Sequence, residues 1–282
     1  MAPRTIHVSH SPDSDDAFMF YALAEGKLDT GDLRYVHELS DIESLNRRAL
    51  NGELMVTAVS IHAYAHLHKT YALLSSGCSM GDRYGPRLVG RGAPPADARA
   101  AAAGKRIAIP GKLTTAYLAL RLFQPDFEAV EMPFDQIDEA VLRGDVDLGL
   151  LIHEGQLTYH DQGLHLWADM GEWWFGETGL PLPLGGNVVR RDLGEAIVRQ
   201  VSRDLKASIE YSLAHRAQAL GHARQYNRGL SDEKTDAFVG MYVNDWTVDY
   251  GPRGRQAVQV LLDRAHAARL IPEPVRAEFV AP

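Results

Sequence analysis

Asp147-Leu-Gly-Leu-Leu-Ile-His153-Glu154-Gly-Gln-Leu-Thr-Tyr159 is the stretch that decides the fold. An apolar run too short for a helix switches sharply to His-Glu-Gly, which predicts a strand buried on both faces and ending in two ionisable groups. In open α/β sheets, ligands bind outside the carboxyl ends of the strands. A neutral imidazole at that end, His153, is a candidate proton acceptor because histidine ordinarily titrates near physiological pH. The bland alternative is a hydrogen-bonded histidine at a strand boundary. Glu154 could orient the ring, although adjacent residues on a strand point to opposite faces.

Upstream, Asp138 to Leu142 reads as a helix stopped by Arg143-Gly144, so that strand, helix and strand form a βαβ step of a small parallel sheet. Glu128 to Pro133 and Arg106 to Pro110 supply further strands. After the latter comes Gly111-Lys112-Leu-Thr114-Thr115 and a helix to about Phe123. A glycine turn, a lysine and two threonines at a helix start make an anion cradle, because amides and hydroxyls converge where the helix dipole favours negative charge. Thr114 would serve equally as a plain cap. The Walker spacing is absent, which disfavours a nucleoside triphosphatase.

Downstream, Leu164 to Met170 is an edge strand. Trp173-Trp174-Phe175 either wall an aromatic ligand or fill core. Leu184 to Arg190 is a strand returning to an earlier part of the chain.

The amino-terminal third repeats the strand-to-helix arrangement. Thr5 to Ser9 is a strand, followed by Ser-Pro-Asp13-Ser14-Asp15-Asp16 and a helix from Ala17 to Ala24. Capping explains one or two of these residues, but three aspartates in four positions repel one another, so at least one is expected at a pocket. Leu33 to Leu39 is a strand and Asp41 to Asn51 a helix. Leu54 to Val59 ends in Ala58-Val59-Ser60 at the head of a helix, Ile61 to Leu67, where a hydroxyl and free amides suit a carboxylate or hydroxyl ligand. Ser60 as a plain N-cap fits equally well. His62, His66 and His68 invite a metal reading, which is rejected because no His-Glu-x-x-His arrangement or extra carboxylate accompanies them.

Tyr71 to Ser76 and Arg87 to Gly90 are strands, and the Pro- and Ala-rich segment from Arg91 to Arg99 marks a lobe boundary near Gly92. Helices are expected within Leu193 to Arg224, over Ser231 to Val243 and over Gly254 to Ala268, with an extended stretch between Val243 and Tyr250. These C-terminal helices are expected to pack around the first lobe.

The 282 residues are 45% hydrophobic with a net charge of −8, enough for two lobes with real cores. No basic cluster suggests a nucleic-acid face. The single cysteine, Cys78, excludes an internal disulfide or a cysteine-based metal site and reads as a reduced, partly buried thiol. Met-Ala-Pro-Arg-Thr-Ile-His-Val lacks a leader pattern, so a cytoplasmic protein is expected. No apolar run reaches the roughly 18 residues of a membrane span.

Two α/β lobes, residues 1–91 with 187–282 and an inserted 92–186, joined by two crossing strands, predict the type II periplasmic-binding-protein fold. Its ligand cleft lies between the lobes. Fold alone leaves transport and catalysis open. A carrier of a small carboxylate would share every cradle feature, but would need export or a lipid anchor.

Several blocks together resemble the 1,4-dihydroxy-6-naphthoate synthases, enzymes of the futalosine route to menaquinone that act on cyclic dehypoxanthine futalosine. They are Ser-Pro…Asp-Asp-Ala-Phe-Met-Phe-Tyr-Ala-Leu, Ser60 after a strand, Gly111-Lys-Leu-Thr-Thr-Ala-Tyr, Ile152-His153-Glu154…Leu-Thr-Tyr159, and Thr178-Gly-Leu-Pro-Leu-Pro-Leu-Gly…Arg-Arg-Asp-Leu-Gly194. The resemblance implies a lyase without metal or redox cofactor, with His153 as proton acceptor. It further implies a substrate site formed by Ala58, Val59, Ser60, Thr114 and Thr115, with Asp16 at its wall. The first loop departs from the family's Ser-Pro-Cys-Pro-Asn-Asp-Thr: Asp15 and Ala17 stand where Asn and Thr occur, while Asp16 keeps the aspartate. The sister chorismate dehydratases match these blocks less well. The resemblance leaves the oligomeric state open.

Overall fold

The computed structural model describes residues 3–226 and 229–281; Met1 and Ala2, which begin the segment read for a leader, lie outside the described residues. The chain starts with β1 (Arg4–His10), α1 (Ser14–Ala24), β2 (Leu33–Leu39), α2 (Ile42–Leu50), β3 (Val56–Ser60), α3 (Ile61–Leu67), β4 (Tyr71–Leu74) and β5 (Ser79–Gly81). It continues with β6 (Arg87–Gly90), α4 (Ala98–Ala101), β7 (Arg106–Ile109), α5 (Thr115–Phe123), β8 (Glu128–Glu131), α6 (Ile137–Arg143), β9 (Leu148–Leu151), α7 (Gly155–Thr158), β10 (His165–Asp169) and α8 (Met170–Thr178). It returns through β11 (Leu182–Arg190) to α9 (Glu195–Ala214), α10 (Arg216–Ala223), α11 (Asp232–Tyr242), α12 (Asp245–Val248), α13 (Gly251–Ala267) and β12 (Phe279–Val280).

Two sheets result. The first is seven-stranded in the order β12-β4-β11-β3-β1-β2, with β5 also against β11; the second runs β10-β6-β9-β7-β8. In the first, β1 pairs parallel with β2 and β3, while β11 runs antiparallel to β3, β4 and β5. In the second, β7 lies parallel to β8 and β9, and β6 lies antiparallel to β9 and β10. All four residues of β9 are buried, as a strand covered on both faces requires.

The chain crosses between sheets earlier than the composition shift at Gly92 suggests, because Arg87–Gly90 already pairs with β9 and β10. Proline and alanine after Gly90 mark an exposed connection inside the second lobe. The return crossing also precedes residue 187, since β11 joins the first sheet from Leu182. The segment from Val243 to Tyr250 is not extended. Asn244 accepts from the Trp246 amide at 3.0 Å while its own amide donates to Thr247 Oγ1 at 3.0 Å, and this reciprocal capping starts the one-turn helix α12.

The first lobe's core places α1 between the sheet and the C-terminal helices. Ile6 and Val8 of β1 share a buried cluster with Phe18 and Met19 of α1 and with Leu205 and Ile209 of α9. Each such side chain contributes roughly 1.5–3 kcal/mol on burial. That packing fixes the start of α1, and with it Asp13 to Asp16, relative to β1. No helix among the described residues is long and apolar enough to cross a membrane.

Candidate active site

Three helix starts and one strand end meet in the gap between the lobes. α1 follows β1 and α3 follows β3 in the first lobe, while α5 follows β7 and His153 follows β9 in the second. The cleft they bound has an empty volume of about 770 Å³. Its lining includes Asp13, Asp15, Asp16, Ala58, Val59, Ser60, Thr114, Thr115 and His153, with Leu184 to Asn187 of β11 forming the hinge side. The cleft therefore brings together Asp16, Ala58, Val59, Ser60, Thr114, Thr115 and His153, the residues that the resemblance placed at the substrate site.

Local bonding sorts these residues. Asp13 occupies the N-cap position of α1, yet its side chain makes no capping hydrogen bond; one carboxylate oxygen instead lies 3.0 Å from His153 Nδ1. Asp16 accepts from the Ser11 amide at 2.8 Å, which closes the loop on itself. Burial, with Asp13 alongside, pushes Asp15 up to about 7, and burial with Asp15 nearby raises Asp16. The mutual repulsion expected of this cluster is thus relieved partly by protonation and partly by the histidine from the other lobe.

Ser60 does not cap α3 with its side chain. Asn46, fully buried on α2, grips it at two points: Ser60 N donates to Asn46 Oδ1 at 2.9 Å and Asn46 Nδ2 donates to Ser60 Oγ at 3.1 Å. The hydroxyl is held in place with its proton available to a ligand oxygen. Asn46 was not legible as a site residue, because an asparagine inside a predicted helix gives no positional signal.

Thr114 is the cap that the alternative reading required. Its hydroxyl donates to Gly111 O at 2.7 Å and accepts from Tyr117 N at 3.1 Å. Thr115 differs: its hydroxyl donates to Leu184 O at 2.6 Å and accepts from His62 N at 3.1 Å, so it ties α5 to α3 and to the crossing strand β11. His62 serves this junction, with Nδ1 3.3 Å from Thr114 O. Lys112 is exposed and does not line the cleft. The cradle at α5 therefore offers amides and small side chains without the lysine.

Contacts span the cleft on both sides. Glu43 of α2 accepts from Leu113 N at 3.2 Å and packs against Gly111, whose φ of +152° and lack of a Cβ allow the approach. Ser14 donates to Glu154 at 3.0 Å, and the Tyr242 hydroxyl hydrogen-bonds the Gln156 amide at 2.9 Å. Glu154 is buried and faces the start of α1, so it is Asp13 that meets the imidazole. His153 itself adopts φ +63°, an uncommon conformation for a non-glycine residue and one that marks many functional sites. Phe134 packs on its ring at a centroid distance of 4.1 Å.

The tryptophans do not wall the cleft. Trp174 is fully buried and donates to Pro181 O at 3.1 Å, while Trp173 packs edge-on against Phe123 of α5. α8 presses this aromatic pair into the second lobe's core. Cys78 is fully buried rather than partly so; it lies 2.9 Å from Trp246 O, and burial raises its thiol far above the ordinary range.

Two α/β lobes around a ligand cleft, hinged on β11, define a protein of the type II periplasmic-binding-protein fold. The alkanesulfonate-binding protein SsuA of Xanthomonas axonopodis shares it, with a TM-score of 0.70 over 98% of this chain and 97% of that one at 16% identity. The chain belongs to the menaquinone biosynthesis family, whose pattern matches residues 6–267. It is 40% identical over 275 residues to a 1,4-dihydroxy-6-naphthoate synthase of Thermus thermophilus, covering 98% of this chain and 99% of the relative. It is 37% identical to another of that name from Streptomyces coelicolor, covering 96% of each. A crystal structure of an Archaeoglobus fulgidus protein superposes with a TM-score of 0.90 and 47% identity over 95% of this chain and 98% of that one. The protein is accordingly an enzyme of menaquinone biosynthesis.

Proposed function

We propose that the protein is a lyase converting cyclic dehypoxanthine futalosine to 1,4-dihydroxy-6-naphthoate, with His153 as the general base. The observation that carries this reading is the meeting of a half-buried imidazole from one lobe with helix starts from both lobes in one cleft. The relatives in Thermus and Streptomyces that bear the synthase name support it.

Forming an aromatic ring by elimination requires loss of a proton beside a carbonyl and stabilisation of the oxygen that gains charge. A positioned base contributes about 10²–10⁴-fold to such a step. His153 takes the proton. The Ser60 hydroxyl and the amides at the start of α5 bind carboxylate or sugar oxygens, and Ala58 and Val59 shape the wall beside Ser60. Closure of the lobes over the substrate excludes water and completes the site. No step in this scheme calls on a metal or a redox cofactor.

Incubating the pure protein with cyclic dehypoxanthine futalosine, followed by mass analysis, tests the assignment. The naphthoate is the expected product. Unaltered substrate at high enzyme concentration would remove the proposal.

A further inference from the structure

Asp13 and His153 come from different lobes, and neither position alone announces the other. Asp13 lies between β1 and α1, His153 just after β9, and their side chains are 4% and 13% exposed where they meet at 3.0 Å. Asp13 forgoes the capping bond that its place at the head of α1 offers and sets a carboxylate oxygen against the imidazole instead. The ring is held on another side by Phe134 and by the left-handed backbone of His153 itself. A buried carboxylate against one ring nitrogen decides which nitrogen carries the proton.

We propose that Asp13 is a positioning residue for His153. It accepts the Nδ1–H across the cleft and so holds the tautomer whose Nε2 takes the substrate proton. The inference rests on the base assignment above and extends it. In the step concerned, the substrate C–H bond breaks, its electron pair moves to the neighbouring carbonyl oxygen, and the proton arrives on Nε2. The imidazolium that forms sits against a carboxylate, which stabilises it as in a hydrolase triad. Because the two partners are carried by separate lobes, opening the cleft separates base from orienting group, and closure assembles them. Ser14 and Glu154, each one residue further along the same two segments, add a second bond at 3.0 Å that keeps the segments in register.

Two measurements test this. In protein labelled with ¹⁵N-histidine, the His153 resonances are those missing from His153→Gln; the expected pattern is a protonated Nδ1 and an unprotonated Nε2 at neutral pH. Asp13→Asn is expected to shift that pattern toward the other tautomer and to lower kcat by about 10²–10⁴-fold, with KM within about threefold of the original. Asp13→Glu is expected to restore part of the rate. A wild-type His153 protonated on Nε2, or an Asp13→Asn enzyme with kcat within about threefold of wild type, overturns the proposal. If Asp13→Asn does not fold, the wild-type tautomer decides alone. A wild-type enzyme that makes no naphthoate overturns the proposed function instead, and the tautomer measurement, which needs no substrate, still reads the role of Asp13.

Discussion

The hydroxyl of Ser14 donates to the carboxylate of Glu154 at 3.0 Å, joining the first turn of α1 in one lobe to the segment after β9 in the other. Both residues are buried. Removing the hydroxyl takes away a hydrogen bond to a charged group, worth about 1.5–3 kcal/mol. Ser14→Ala is therefore expected to favour the open cleft, raising KM more than it lowers kcat and lowering Tm by several degrees. Steady-state kinetics and calorimetry would check it; an unchanged KM with unchanged Tm would show that this contact does not hold the lobes.

Asp15 gives the stability of the protein a pH dependence with a definite sign. Its carboxyl is pushed up to about 7 by burial and by Asp13, against an ordinary value of 3.8. Between those values the folded chain keeps a proton that the unfolded chain releases, so stability falls as pH rises from about 4 to about 7. Asp15→Asn, neutral at every pH, should match the wild type below pH 4 and exceed it above pH 7 by up to about 4 kcal/mol, a Tm gain of several degrees. Thermal melts at pH 4 and pH 8 measure the difference. Equal Tm gains at both would contradict the titration.

A pair of histidines acts with the opposite sign. His10 Nε2 and His37 Nδ1 hydrogen-bond at 3.1 Å, and Phe20 stacks on His10. Burial, with His37 beside it, holds His10 down at about 3; burial, with His222 nearby, holds His37 at about 4. Unfolded histidine binds its proton near 6.5, so this pair withdraws stability as pH falls below that value. Each proton tilts the unfolding free energy by about 1.4 kcal/mol per pH unit. His37→Asn should therefore flatten the loss of stability between pH 6.5 and pH 4.5. An unaltered slope in denaturant titrations across that window would show that the pair does not titrate in this way.

The parts of the fold that follow from periodicity were legible in the sequence. β9 and its burial, the strand-to-helix turns at Asp13, Ser60 and Thr114, and the edge strand β10 all depend on local patterning. What failed depended on partners distant in the chain. Arg87–Gly90 reads as a strand, but only its pairing with Leu148–Leu151 assigns it to the second sheet. Asn244 starts a helix through reciprocal bonds that a β-rich composition between Val243 and Tyr250 conceals.

The same limit governed the site. Residue type and position brought His153, Ser60 and Thr115 to attention, because they stand where strands end or helices begin. Asn46, which fixes Ser60, and Gln156 and Tyr242, which bridge the cleft, stand at no such landmark. The sequence offered only Glu154 as an orienting neighbour of His153, with strand geometry against it, and a residue 140 positions earlier, Asp13, fills that place. Sequence adjacency and spatial adjacency diverge most where two lobes meet.

His153→Ala is the most direct test of the central claim that one imidazole in the cleft removes the substrate proton. Turnover of cyclic dehypoxanthine futalosine and binding of the same compound by calorimetry would be measured on the wild type and the variant. The expected result is a kcat lower by about 10²–10⁴-fold with Kd within about tenfold of wild type. A variant that forms the naphthoate at the wild-type rate would contradict the account.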